Sequence, residues 1–149
     1  MLEGNEARLR LAYSILFSLP GTPVLFYGEE IGMTGTKPDP KIRTPMQWEP
    51  GLHAGFTECT PWQAVNAGHE AVNVAAQSAD PNSLLNLYRH LIHLRATHPA
   101  LLRGDYLPVE AGHEAVHAFV RRAGNEAVLA VFNLSTEPVR SYGLSVESG

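Results

Sequence analysis

The chain has 149 residues, enough for one domain with a real core, and its 44% hydrophobic and 17% charged residues describe a folding chain, not a disordered one. A net charge of −4 with scattered basic residues argues against a nucleic-acid partner, and apolar runs such as 24–27 are far too short to span a bilayer, so no membrane partner is expected. Cys59 is the single cysteine, which excludes an internal disulfide and fits a reducing compartment, while the opening residues show no apolar leader and leave the location open.

The first predicted element is a helix over 5–18, with Leu9, Ala12, Tyr13 and Leu16 on one face, Leu11 and Ile15 widening it, and a start at Gly4 or Asn5. "LPGTP" at 19–23 ends it. The continuous apolar run "PVLFYG" (23–28) then suits a short strand buried on both faces, as in parallel sheets. From Glu29 to about Asn82 there is no sustained period, and a connector of that length is expected to be functional. A second helix is predicted over 80–97, with Asp80 as cap, Pro81 at the first helical position, and Leu84, Leu87, Tyr88, Leu91 and Leu94 as its stripe. His98–Pro99 ends that helix, because a residue before proline avoids the helical region.

Beyond Pro99 the pattern becomes short strands at 104–109, 115–122 and 127–134, with a fourth expected at 139–146. The pattern A-G-[HN]-E-A-V occurs at 67–72, 111–116 and 123–128 with unrelated flanks, which reads as similar turn solutions and not as a structural repeat. The residues therefore describe an α/β piece over 1–99, followed by a small antiparallel β unit over 100–149.

Chemistry-bearing constellations are sparse. Glu29 and Glu30 follow the predicted strand, where active-site groups of α/β sheets gather; on a strand only one of them faces a pocket, and the simpler role is accepting hydrogen bonds that order the next loop. His90 and His93, and His113 and His117, lack the further ligands of a zinc site, so no metal is expected. There is no G-x-S-x-G elbow and no phosphate-binding glycine loop. The loop "IRTPMQWEPGLHAGFT" (42–57) is left as an arginine and aromatics with no regular element to belong to.

That loop carries a resemblance. With Gly21, Pro23, Gly28 and Glu30, then "RTPMQW" (43–48), "AGF" (54–56), "PW" (61–62) and "VN" (65–66 and 72–73), the stretch over 4–134 resembles the α-amylase family of glycoside hydrolases, family 13, of the oligo-1,6-glucosidase, trehalose synthase and intermediate α-amylase type. The resemblance implies that 1–99 are the last helix–strand–helix part of a (β/α)₈ barrel and that 100–149 begin an antiparallel C-terminal domain. It implies an α-glucan or oligosaccharide substrate, no cofactor, an undetermined calcium dependence, and Arg43 as the sugar-binding residue. Relatives often carry a further arginine where this chain has "KPDPK" (37–41). The family's nucleophile, acid/base glutamate and assisting aspartate come from earlier barrel strands, so no catalytic residue is expected in these 149 residues. An inactive chain is the expectation, associating into a homo-oligomer through exposed barrel surfaces; a carbohydrate-binding module or a purely structural piece are the rivals.

Overall fold

The computed structural model describes residues 5–146. They divide into two compact units, one of residues 5–10 and 24–90, the other of residues 11–23 and 91–146. Four helices, α1 (Glu6–Ser18), α2 (Val74–Ala79), α3 (Leu84–Thr97) and α4 (Pro99–Arg103), precede three strands, β1 (Asp105–Val109), β2 (Val116–Ala123) and β3 (Glu126–Asn133). No helix among the described residues is long and apolar enough to cross a membrane.

Helix α1 forms where its period predicts, and Asn5 starts it by accepting the Arg8 amide at 3.1 Å. Helix α3 starts four residues later than expected. The Asp80 carboxylate closes a local turn on the Asn82 amide at 2.9 Å, so the cap passes to Ser83, whose hydroxyl accepts the Asn86 amide at 3.2 Å. Both are preferred capping residues, and the Asx turn at Asp80 takes its side chain out of the competition. Helix α2 lies inside the stretch without periodicity. Asn73 caps it through the Ala76 amide at 2.8 Å and donates back to the carbonyls of His69 and Glu70.

The first unit packs on Ile31, Met46 and Leu85, with Met33 and Val74 against them. Gln77 ties this unit together: its amide donates to the Ile31 carbonyl at 2.8 Å, its oxygen accepts the Leu85 amide at 3.0 Å, and its carbonyl accepts Ser83 and Asn86.

The expected buried strand at 24–27 is not there. No strand is present between α1 and α3 among the described residues, and Val24 (87%), Leu25, Phe26 and Tyr27 are exposed. A strand exists only through ladder hydrogen bonds to a neighbour, and the described residues supply none here. An apolar run that reads as doubly buried is thus presented to solvent.

In the second unit, β1, β2 and β3 form an antiparallel sheet in that order, with Asp105 opposite Arg122 and Ala123 opposite Glu126. Gly124, at φ 58°, opens the two-residue turn between β2 and β3, a position that favours glycine. Gly68 and Gly112, its counterparts in the A-G-[HN]-E-A-V pattern, also have positive φ, but the turns close differently: Ala71 donates to the Gly68 carbonyl at 3.0 Å in the first segment, Val116 to that of His113 at 3.0 Å in the second, and the third is the β2–β3 hairpin turn. The fourth expected strand reduces to a single bridge, Glu110 to Ser145. Phe119 of central β2 is fully buried, with Tyr106, His117 and Phe132 rings at 4.9, 5.5 and 6.0 Å.

Two arginines are buried in this unit. Arg95 donates to the carbonyls of Phe17 (2.7 Å), Leu19 (2.8 Å) and Gly21, and Arg121 donates to Ser18 (2.7 Å) and Gly104 (2.8 Å). The carbonyls of Phe17 and Ser18 are orphans at the end of α1, where the helix dipole favours a cation; those of Leu19 and Gly21 lie just beyond it, and that of Gly104 just beyond α4. Burial lowers the pKa of both guanidinium groups; Arg95 lowers that of Arg121 further, and Asp105 partly opposes it.

Candidate functional site

The site is built from the loop that follows the exposed run. Gly28 turns the chain at φ 87°, and a Cβ there would meet Met33 Sδ at 2.6 Å. Its carbonyl accepts the Ile31 amide at 3.3 Å, closing the 3₁₀ turn over Glu29–Ile31, and also the Met33 amide at 2.8 Å just beyond it. The turn drives Ile31 into the core and separates the two glutamates. Glu29 accepts the Phe26 amide at 3.3 Å, the loop-ordering role, while Glu30 lines a cleft. Because the pair sits on a 3₁₀ turn, the strand argument for their opposite directions does not apply, although the outcome, one toward a pocket, is the same.

The second wall is the "RTPMQW" segment. Thr44, Pro45, Met46 and Gln47 are buried, and the N-terminal amides of α2 hold the strip from behind: Val74 donates to the Gln47 carbonyl at 3.0 Å and Ala75 to that of Trp48 at 2.9 Å. The Gln47 side chain donates to the Val72 carbonyl, and Tyr27 Oη donates to the Thr44 carbonyl at 3.0 Å, joining the two walls.

A third part is strained. His53 and Ala54, with φ of 53° and 55°, and Gly55, with φ 65°, are consecutive left-handed residues. For a residue with a Cβ this costs roughly 1–2 kcal/mol. Fully buried Ala54 holds the conformation by donating to Gly51 (2.9 Å) and accepting from Trp48 (2.9 Å) and Glu49 (3.2 Å). The strained turn delivers Phe56 to the cleft beside Trp48.

The resulting cleft, about 400 Å³, is lined by Tyr27, Trp48, Phe56 and Trp62 with Glu30, Arg43 and the 44–46 strip. Trp48, Phe56 and Trp62 are 50%, 45% and 64% exposed, so they do not anchor the loop. Ile31, Met46 and Ala54 do that, freeing the aromatics to form a surface. Arg43 lines the cleft, and it also pairs with Asp39 at 3.4 Å with both side chains largely exposed. Planar rings with one guanidinium and one carboxylate can take the apolar face of a sugar ring while hydrogen-bonding its hydroxyls. Tyr27 was missed by sequence reasoning because its run looked like core; its OH and the glycine after it were the signals.

Among the described residues no histidine lines this cleft. His98 Nδ1 donates to Glu126 at 2.5 Å, and His113 Nδ1 accepts the Ala115 amide at 3.1 Å. Cys59 is exposed. Among the described residues no three His, Cys, Asp or Glu side chains converge to hold a metal ion.

The family model for the alpha-amylase catalytic domain matches residues 2–104. The trehalose synthase/amylase of Mycolicibacterium smegmatis is 36% identical over an alignment of 159 positions, covering 93% of this chain and 26% of that protein. A probable oligo-1,6-glucosidase of Bacillus subtilis is 29% identical, covering 91% of this chain and 31% of that protein. Among solved structures, the isomaltulose synthase from Klebsiella sp. LX3 superposes with a TM-score of 0.78 at 27% identity, covering 89% of this chain and 31% of that one. The chain thus spans between a quarter and a third of the length of the relatives it matches.

Proposed function

The chain belongs to the alpha-amylase family, and from that premise we propose that it is the C-terminal part of a retaining glycoside hydrolase, or transglycosylase, acting on α-glucosidic bonds. In this reading residues 1–99 are the last helix–strand–helix part of a (β/α)₈ barrel, and 100–149 begin its antiparallel C-terminal domain. The aromatic cleft contributes one side of a pocket for a glucose unit. Arg43 hydrogen-bonds its hydroxyls, and the exposed rings of Trp48, Phe56 and Trp62 stack against it.

One observation carries the functional reading: Glu30 is the single carboxylate lining this cleft among the described residues. A retaining mechanism needs two, about 5–5.5 Å apart across the scissile bond. The cleft can therefore hold a sugar but not cleave its bond. The purified 149-residue chain is expected to give no turnover of an aryl α-glucoside or a maltooligosaccharide; measurable hydrolysis overturns the reading. A second reading, a non-catalytic carbohydrate-binding module, is favoured by the fact that one unit alone forms the whole described cleft. Calorimetry with maltose or isomaltose at low millimolar concentration separates the two: heat supports a module, and its absence supports half of a site.

The partner expectation takes the form of self-association. Val24 and Leu25 expose apolar side chains, and their backbone groups make no hydrogen bond among the described residues. An apolar segment with free main-chain groups is a template for pairing with a second copy. Light scattering at tens of micromolar is expected to show a dimer or larger species, and a sharp monomer peak refutes this.

A further inference from the structure

Trp48 gives the aromatic cleft an exposed ring, yet among the described residues its indole makes no hydrogen bond and no ring–ring contact. Nothing polar on the ring holds it, so its direction is inherited from its main chain. That main chain is gripped on both sides. The Trp48 amide donates to the Ala54 carbonyl at 2.9 Å, within the same loop, and the Trp48 carbonyl accepts the Ala75 amide at 2.9 Å. Val74 donates to the neighbouring Gln47 carbonyl at 3.0 Å, and the Gln47 side chain donates back to the Val72 carbonyl. The amides of Val74 and Ala75 belong to the first turn of α2, where a helix leaves its N–H groups without an internal partner. They aim together only while that turn stays helical, and six residues are too few for a helix to hold itself by propensity alone. One side chain supplies the order. Asn73 is fully buried, accepts the Ala76 amide at 2.8 Å as the cap of α2, and donates to the carbonyls of His69 (2.8 Å) and Glu70 (3.2 Å) in the turn before it.

We propose that Asn73, which does not itself line the cleft, is a positioning residue for it: by capping α2 it aims the Val74 and Ala75 amides at the Gln47 and Trp48 carbonyls, and so sets the direction of the Trp48 ring. Losing an N-cap acceptor frays the first helical turn. Here that turn carries the donors on which one side of the Trp48 backbone depends. The consequence for a ligand rests on the sugar-binding reading of the cleft, whereas the positioning itself is measured without any sugar. A residue that only stabilised its unit would leave the ring of the folded protein as it is, which separates the two roles.

Acrylamide quenching of tryptophan fluorescence in the whole chain tests it, in a Trp62→Phe background that leaves Trp48 as the single tryptophan. Asn73→Ala should raise the quenching constant of the folded protein by up to about twofold, because an indole now 50% exposed is released from its backbone grip. Asn73→Ser, which restores a capping oxygen, should return it to the value of the background chain. Gly104→Ala, a destabilising change in the other unit, should leave it unmoved. If Asn73→Ala does not fold, Ala75→Pro decides: it deletes only the donor to the Trp48 carbonyl, in the first helical turn where proline is tolerated, and should raise the constant likewise. An unchanged constant in the folded variant, no rescue by serine, or an equal rise in Gly104→Ala overturns the proposal. None of these results bears on whether the cleft holds a sugar, which calorimetry and glucose-dependent NMR shifts decide separately.

Discussion

Replacing Arg95 with methionine removes a guanidinium from three carbonyls while keeping much of its apolar volume. The three acceptors are not equivalent. Phe17 is 4% exposed, so its carbonyl is left without water; Leu19 is half-buried; Gly21 is exposed and can be hydrated. A stranded buried acceptor costs roughly 1–3 kcal/mol, which gives the Phe17 carbonyl that range, the Leu19 carbonyl about half of it, and the Gly21 carbonyl almost nothing. Losing the cation from the α1 C-terminus adds about 0.3–1 kcal/mol. Release of the buried charge, which costs enough to lower the Arg95 pKa, works in the other direction. The net expectation is a loss of about 2–4 kcal/mol. Urea unfolding checks it: with a slope of roughly 1–3 kcal/mol per molar, the midpoint should fall by about 1–2 M. Arg95→Lys, which keeps the charge but not the fork, should recover part of the loss. Arg103→Met, at an exposed arginine with no partner among the described residues, should stay within about 0.5 kcal/mol. If Arg95→Met also stays within that margin, the account of this unit is wrong.

A buried-backbone test is Gly104→Ala. A Cβ there would lie 2.3 Å from the Ala100 carbonyl oxygen and 2.7 Å from that of Arg122, both backbone, so a loss of about 1–3 kcal/mol is expected by thermal or urea unfolding. Gly143→Ala, with nothing within 4 Å, should be near neutral, and equal effects at the two positions would refute the packing argument. Glu126 gives a pH dependence. Its carboxylate is held below the usual range, first by the His98 hydrogen bond and then by the Ala100 amide. A depressed folded value means that its stabilisation is full above the ordinary carboxylate range and is lost as pH falls through the folded one. The stability gap between wild type and Glu126→Gln should therefore close on acidification, and a gap constant across the acid range would contradict this linkage. Arg43→Ala should leave the urea midpoint almost unmoved, because an exposed pair such as Arg43–Asp39 is worth about 0–1 kcal/mol. The same change should abolish glucose-dependent NMR shifts; a large loss of stability would show that Arg43 serves the loop and not a ligand.

The cleft illustrates how a site divides between local and distant causes. Arg43, Trp48 and Phe56 lie within one loop and were visible together in "RTPMQWEPGLHAGF". Glu30 entered as one of two adjacent carboxylates, and the 3₁₀ turn decided which one meets the cleft. Tyr27 entered as core and emerged as a wall.

What the amino-acid order determined by itself was whatever depends on near neighbours. Helix periods placed α1 and the body of α3, alternation and turn residues placed β1 to β3, and the shared A-G-[HN]-E-A-V pattern marked three glycines with positive φ. These features are set by backbone sterics and side-chain spacing over a few residues. The tertiary structure alone decided the rest. The 24–27 run has strong strand character, but a strand is a property of a pair, and its exposure follows from the lack of a described neighbour. Asp80 and Ser83 are both capable caps, and competition with a local turn chose Ser83. Nothing in the sequence singles out Arg95 and Arg121, whose acceptor carbonyls include ones 78 and 103 residues away. Burying a charge is favourable only where fixed acceptors already wait for it, and no local pattern in a sequence announces where a distant helix will end.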